Sequence, residues 1–299
     1  VPAEGLFANA QRSLSDQLAS TNVNTNIFRL IVQHWTQTVY TDESRYDLRT
    51  RLIPDRFFQT LYRDVLEDFA DAKRVIGSDT RKSAGIKANQ IAIADIMEVY
   101  AYHMLVNTFG NVPYGEALNY ANITPKYDDA KTIELDLLAR LNTDIAALNA
   151  NISSPSYGSS DFLYGGNVSA WIKFANTLKL KIGMLFADSD PAVAQANVLA
   201  AVTAGVFTSN SDNALFKYLS ATPNTNPLWV DLVQSGRNDF VASQTIVNMM
   251  NGLNDPRRTF YFTQVSGGYS GGVDGQGNVF SSFSGPSSII EDPTVANVF

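Results

Sequence analysis

The sequence predicts a mostly α-helical protein built from tetratricopeptide-like helix hairpins, followed by a loop-rich portion with a few short strands. Three observations carry that prediction. Apolar residues recur at three- and four-residue spacing over most of the first two thirds of the chain. Short polar turns separate these periodic runs, as in antiparallel helix pairs. After Gly205 the period gives way to short apolar runs and then to Gly- and Ser-rich chain.

Taken in order, Ile27, Ile31, Trp35 and Val39 fall four apart and predict a helix from Asn24 to Tyr40. Pro54 suits the first position of the next helix, which Phe57, Phe58, Leu61, Val65 and Phe69 carry as far as Ile76. Gly77-Ser78-Asp79 ends it, and Ile86, Ile91, Ile93, Met97, Tyr100 and Leu105 mark a long partner from about Lys82 to Val106. Gly110-Asn111-Val112-Pro113-Tyr114-Gly115 reads as turns. Ile133, Leu137, Leu141, Ile145 and Leu148 predict a helix over about 129–149, and Trp171, Phe174, Leu178, Ile182 and Leu185 one over 168–187. Asp190-Pro191 is an N-cap with Pro after it, opening a short helix to about Ala204. Beyond it, Ala214–Tyr218 and Thr259–Thr263 are expected as strands, with a helix near Ser243–Met250 between them. The Gly-rich stretch Ser266–Ser288 is expected as surface loop, and the chain is expected to stop inside a domain at Phe299.

Composition narrows the chemistry. The 299 residues are 45% hydrophobic and carry a net charge of −7, which works against nucleic acid or anionic lipid as the main partner. Without cysteine there can be no disulfide, thiol nucleophile or Cys-ligated metal, and two histidines cannot make a three-histidine site. No cofactor and no metal site is expected. No apolar run is long enough to span a membrane, and Val1-Pro2-Ala3-Glu4 lacks the start of a signal peptide. The protein is therefore either cytoplasmic or exported by a segment absent from this chain.

Catalytic readings have ordinary counterparts. Asp42/Glu43, Glu67/Asp71 and Asp128/Asp129 could supply paired carboxylates, but they read better as solvated faces and caps. His34 and His103 lie in helical patterns without a nucleophile elbow. Asp274-Gly275-Gln276-Gly277-Asn278 resembles a calcium loop but lacks its later acid, so a turn is expected. Aromatic content is more telling: 11% of residues are Phe, Tyr or Trp. Flat rings cover the C–H face of a sugar while Asn, Asp and Arg bond its hydroxyls. The stretch from Trp35 to Tyr46 mixes both types where a helix would exit into a loop.

Several phrases together resemble the SusD/RagB family of outer-membrane glycan-binding lipoproteins. They are Phe109-Gly110-Asn111-Val112-Pro113-Tyr114-Gly115-Glu116-Ala117, Pro125-Lys126-Tyr127-Asp128, Trp171 through Lys181, and Asp255-Pro256-Arg257, and the chain looks most like the SusD-like type 2 branch. The resemblance implies a SusD-like α-α superhelix of which residues 1–299 are the N-terminal portion: hairpins over 1–205, and a loop-rich part over 206–299 that continues beyond the sequence. It implies a lipid-anchored protein at the cell surface, acting as the lid of a SusC-like TonB-dependent outer-membrane transporter in oligosaccharide uptake. The membrane is then touched only through an N-terminal lipid anchor that this cysteine-free chain lacks. By region and chemistry, the expected ligand residues are Trp35, Tyr40, Asp42, Arg45 and Tyr46, with Tyr269 and Phe280 behind them. No catalytic residue is expected. The alternatives are a peptide- or protein-binding tetratricopeptide-like scaffold and a glycoside hydrolase.

Overall fold

The computed structural model describes residues 1–299 and is mostly helical. The helices are α1 (Ala3–Ala19), α2 (Phe28–Ile31), α3 (Ile53–Gln59), α4 (Glu67–Ser78), α5 (Ala84–Phe109), α6 (Ala130–Ala150), α7 (Val168–Met184), α8 (Pro191–Ala204), α9 (Pro227–Trp229), α10 (Gln244–Gly252) and α11 (Arg258–Tyr261). A π-helical stretch, Thr60–Leu66, links α3 to α4. Strands are short: β1 (Trp35–Gln37), β2 (Val112–Pro113), β3 (Tyr127–Asp128), β4 (Leu215–Phe216), β5 (Phe240–Ala242) and β6 (Asn297–Val298). The chain divides into two compact units, each discontinuous in sequence. One comprises Val1–Leu14, Gln59–Phe216 and Val298–Phe299, and the other Ser15–Phe58 and Lys217–Asn297.

The first unit holds the hairpins. α5 is its central helix, buried on almost every side from Asn89 to Val106, which is why its apolar pattern is broad rather than a single stripe. Ser83 caps its start by accepting from Ile86 N–H, and Gly110, at φ 75°, ends it. Asp129 caps α6 through Thr132 N–H, and Asn167 caps α7 through Ala170 N–H. Asp190 precedes α8 as expected, but its side chain makes no cap; it accepts instead from Lys131 at 3.2 Å. β2 and β3 pair antiparallel, with Asp128 accepting from the Tyr114 and Gly115 N–H groups. Asp161 ties this unit together: it accepts from Trp171 Nε1 at 2.7 Å, Gly166 N–H at 2.9 Å and Gln11 Nε2 at 3.2 Å. The N-terminal helix α1, which the periodicity does not announce, buries Phe7 completely and stacks it on Tyr157 at 3.7 Å.

The second unit departs most from expectation. The predicted helix over Asn24–Tyr40 is replaced by the four-residue α2 and then by β1. Gln33 adopts a left-handed φ of 54° between them, and β1 pairs antiparallel with β5 in the register Trp35↔Ala242, Thr36↔Val241, Gln37↔Phe240. A partner strand some 200 residues away overrides the local period, leaving Ile31 38% and Val39 70% exposed. The strand expected at Thr259–Thr263 is corrected likewise. Asp255 accepts from Arg257 N–H and opens α11, and only Phe262 bridges, antiparallel, to Pro286. The expected helix near Ser243–Met250 is α10, capped by Ser243. The unit's core joins Ile27, Leu30, Trp35, Ile53, Leu228, Phe240, Val247, Met250 and Phe262.

The Gly-rich stretch is less of a surface loop than its composition predicts. Gly272 N–H bonds Ala242 O and Gln244 N–H bonds Gly272 O, both at 2.8 Å. Asn278 is buried and donates to Gln37 O at 3.0 Å, while its N–H donates to Thr38 O at 2.8 Å. Its glycines let the backbone approach closely: a Cβ on Gly271 would lie 2.4 Å from Gln244 Cα.

Candidate functional site

The chain leaving β1 builds a rigid polar corner. Gln37 donates to Glu43 Oε2 at 2.7 Å and accepts from Ser44 N–H at 3.0 Å. Glu43, wholly buried, holds Arg51 with Oε1 2.5 Å from its Nε. This ion pair places the guanidinium at the wall of a cavity of about 240 Å³. The loop Thr21–Asn24, Tyr40, Asp231, Arg237 and Asp239 also line that cavity. Tyr40 is 61% exposed at its rim, so a ring face is free. Arg237 and Asp239 pair at 2.7 Å, and the carboxylate raises the arginine's pKa. Burial pushes the Asp231 carboxyl above its usual range, opposed by the Thr21 N–H, Ser20 and the Arg29 charge. A ring, fixed guanidinium groups, carboxylates and amides around a small polar space form a set that can grip a hydroxylated ligand.

The residues expected from sequence are distributed unevenly around this site. Tyr40 is on its rim. Trp35 is buried rather than exposed beside Tyr40: it is 4% exposed, packs on Phe240, has the Arg29 guanidinium 5.5 Å from its ring centroid, and lies at the wall of a second cavity of the unit. It packs inward because β1 pairing turns the ring toward the core. Asp42 and Arg45 pair with each other at 2.9 Å on the surface. Tyr46, at φ 62°, is half exposed, and its hydroxyl accepts from Gln33 at 3.0 Å. Tyr269 lies partly buried against the core under Arg258, 5.4 Å above its ring. Phe280 is 38% exposed and sits over Gly285. The two stretches are nonetheless adjacent, since a Cβ on Gly275 would meet Arg45 Cγ at 2.8 Å. Sequence reasoning missed Arg51, Asp231, Arg237 and Asp239. Only β1–β5 pairing brings the last three to the chain that carries Tyr40, so no local signal could have found them.

The paired carboxylates have structural partners. Glu67 and Asp71 both face Arg74, Asp129 caps α6, and Asp128 binds turn N–H groups. His103 is buried, 3.0 Å from Glu134. A second cavity of the same unit, about 620 Å³, is mostly apolar, with Met249, Leu253 and Phe260 at its wall. No helix is long and apolar enough to cross a membrane.

A SusD-like type 2 family model, described as "Starch-binding associating with outer membrane", matches residues 1–295. The chain belongs to the SusD-like family. The SusD-like family comprises carbohydrate-binding proteins without catalytic activity. Among solved structures, the chain is similar to a chitin-binding protein at 24% identity and a TM-score of 0.81, over 99% of this chain and 66% of that one. A SusD homologue from Bacteroides uniformis matches at 24% identity and a TM-score of 0.79, over 99% and 62%. A chitin-binding SusD homologue from Flavobacterium johnsoniae matches at 22% and 0.79, over 99% and 62%. These likenesses establish the SusD-like fold, and the chain spans less than two thirds of each solved relative. No curated protein matches its sequence.

Proposed function

We propose that this SusD-like chain captures an oligosaccharide at the cell surface and passes it, uncleaved, to a SusC-like TonB-dependent transporter on which it acts as a lid. The observation that carries the reading is the polar cavity rimmed by the exposed Tyr40 and walled by the anchored Arg51 and the Arg237–Asp239 pair. A family described as starch-binding and outer-membrane-associated supports a glycan as the ligand. Two structurally similar proteins are described as chitin-binding, which supports the same class. Tyr40 supplies the stacking face, and Arg51, Asp231, Arg237 and Asp239 bond hydroxyls. Asp42, Arg45 and Tyr46 extend the surface toward longer chains, with Tyr269 and Phe280 as outlying contacts.

At about 240 Å³ the cavity is below the ~300–1,000 Å³ of drug-sized ligand pockets, which suits the terminal unit of a glycan rather than a whole chain. Binding of ~4–8 kcal/mol suits a carrier that must release its cargo. The test is calorimetry of the protein against starch- and chitin-derived oligosaccharides and a set of peptides. Saturable binding of a glycan supports the reading, while binding of peptides alone would replace it with a helical scaffold. A transporter gene beside this one would support the lid.

A further inference from the structure

Three helices of the first unit bring an unbalanced set of charges together, with Glu98 and Asp144 buried and Lys73, Asp95 and Arg140 half-buried. α4 contributes Lys73, α5 contributes Asp95 and Glu98, and α6 contributes Arg140 and Asp144. Lys73 Nζ lies 2.5 Å from Asp95 Oδ1 and 2.7 Å from Glu98 Oε2. Arg140 Nη2 lies 2.8 Å from the same Asp95 oxygen and 2.6 Å from the same Glu98 oxygen. Both cations are thus shared by two acids. Asp144, 6% exposed, is the third acid beside them: it lies against Asp95, and its Oδ2 is buried without a hydrogen-bond partner. Three carboxyls face two cations, and a buried carboxyl such as Asp144 tolerates an uncompensated charge poorly.

We infer that Asp144 carries a proton at neutral pH, hydrogen-bonded to Asp95, and that this proton is a latch on the α4–α5–α6 junction which alkaline solution removes. Two carboxyls in contact cannot both ionise cheaply, so one proton is held between them. Ion pairing decides which acid holds it, because Asp95 has both cations and Asp144 has neither. Burial and the neighbouring Asp95 charge push Asp144 up to about 9. Burial acts upward on Asp95 too, but Arg140 and Lys73 outweigh it and bring that acid to about 2. Burial also raises Glu98, against the same two cations. The other groups facing the cluster are Tyr102 from α5, Tyr114 from the following turn and Asp136 from α6. From α7, Lys179 donates to Asn142 at 2.6 Å. A cavity of about 410 Å³ lined by Lys73, Asp95, Glu98 and Arg140 opens beside the cluster.

The folded acid is pushed up, so the folded state keeps a proton that the unfolded chain releases near the ordinary Asp value of ~3.9. Stability from this group is therefore full at low pH and falls as pH rises from about 4 to about 9. Asp144→Asn mimics the protonated acid but cannot titrate. Urea unfolding of the two proteins from pH 5 to 9 should diverge, with the wild-type unfolding constant rising up to ~tenfold per pH unit relative to the variant. Infrared difference spectra with carboxyl-labelled aspartate should show a protonated carboxyl at pH 7 in the wild type, lost on titration above about 9 and absent from the variant. Parallel unfolding profiles, or a wild type with no protonated carboxyl at pH 7, would overturn the inference. Because burial also raises Asp231, the spectrum is recorded on Asp231→Asn as well, and a protonated carboxyl that persists there decides the inference even if the Asp144 variant fails to fold.

Discussion

Tyr40 separates ligand contact from packing, because its ring is free while its neighbour Trp35 is buried. Tyr40→Ala should weaken glycan binding about tenfold or more by calorimetry and leave the melting temperature nearly unchanged, since an exposed ring adds little to the core. Trp35→Ala should do the reverse, costing ~3–5 kcal/mol of stability in urea unfolding, because it empties a core site between Phe240 and Arg29. The two substitutions would exchange effects if the sugar stacked on Trp35 instead. Glu43→Gln should lower affinity through Arg51, whose guanidinium then loses its buried carboxylate anchor while the side-chain volume is kept. Unchanged affinity in that variant would remove Arg51 from the site.

At the scale of elements, two contrasts test whether the Gly-rich segment is a fitted element or a loose tail. Gly271→Ala would drive a Cβ into the Gln244 backbone at 2.4 Å, whereas a Cβ on Gly277 meets only Thr38 O at 3.5 Å. The first should cost ~1–3 kcal/mol and the second almost nothing, as read by thermal unfolding. Equal effects would show the segment to be loose. In the helical unit, Asp161→Ala should cost ~3–5 kcal/mol, because the Trp171 indole N–H and several loop N–H groups lose one shared acceptor. The helices themselves were legible, α4 through α7 from their recurring apolar residues, with Ser83, Asp129 and Asn167 at the starts of α5, α6 and α7, and α8 from Asp190-Pro191. The stretch between residues 24 and 40 was not. Its four-residue spacing is a real pattern, but strand pairing with Phe240–Ala242 stabilises an extended chain more than an isolated helix would gain.

For the whole molecule, the prediction is capture without cleavage. Prolonged incubation with the glycan that binds should return it at its original length by mass spectrometry, and shortened products abolished by an acid substitution would restore the hydrolase alternative. Paired carboxylates exist in the sequence, but each has been taken up by an arginine, a helix start or a turn.

The sequence by itself determined the helical hairpins, the exclusion of thiol and histidine-rich metal chemistry, and the family, because these depend on composition, local period and contiguous phrases. It also pointed to the stretch that carries Tyr40. Only the tertiary structure decided which rings face solvent and which face the core, and which distant residues complete the polar cavity. A ring's exposure depends on what lies across from it, and for Trp35 that is a strand about 200 residues away. Local spacing holds no record of such a partner, whereas burial and long-range backbone pairing fix it.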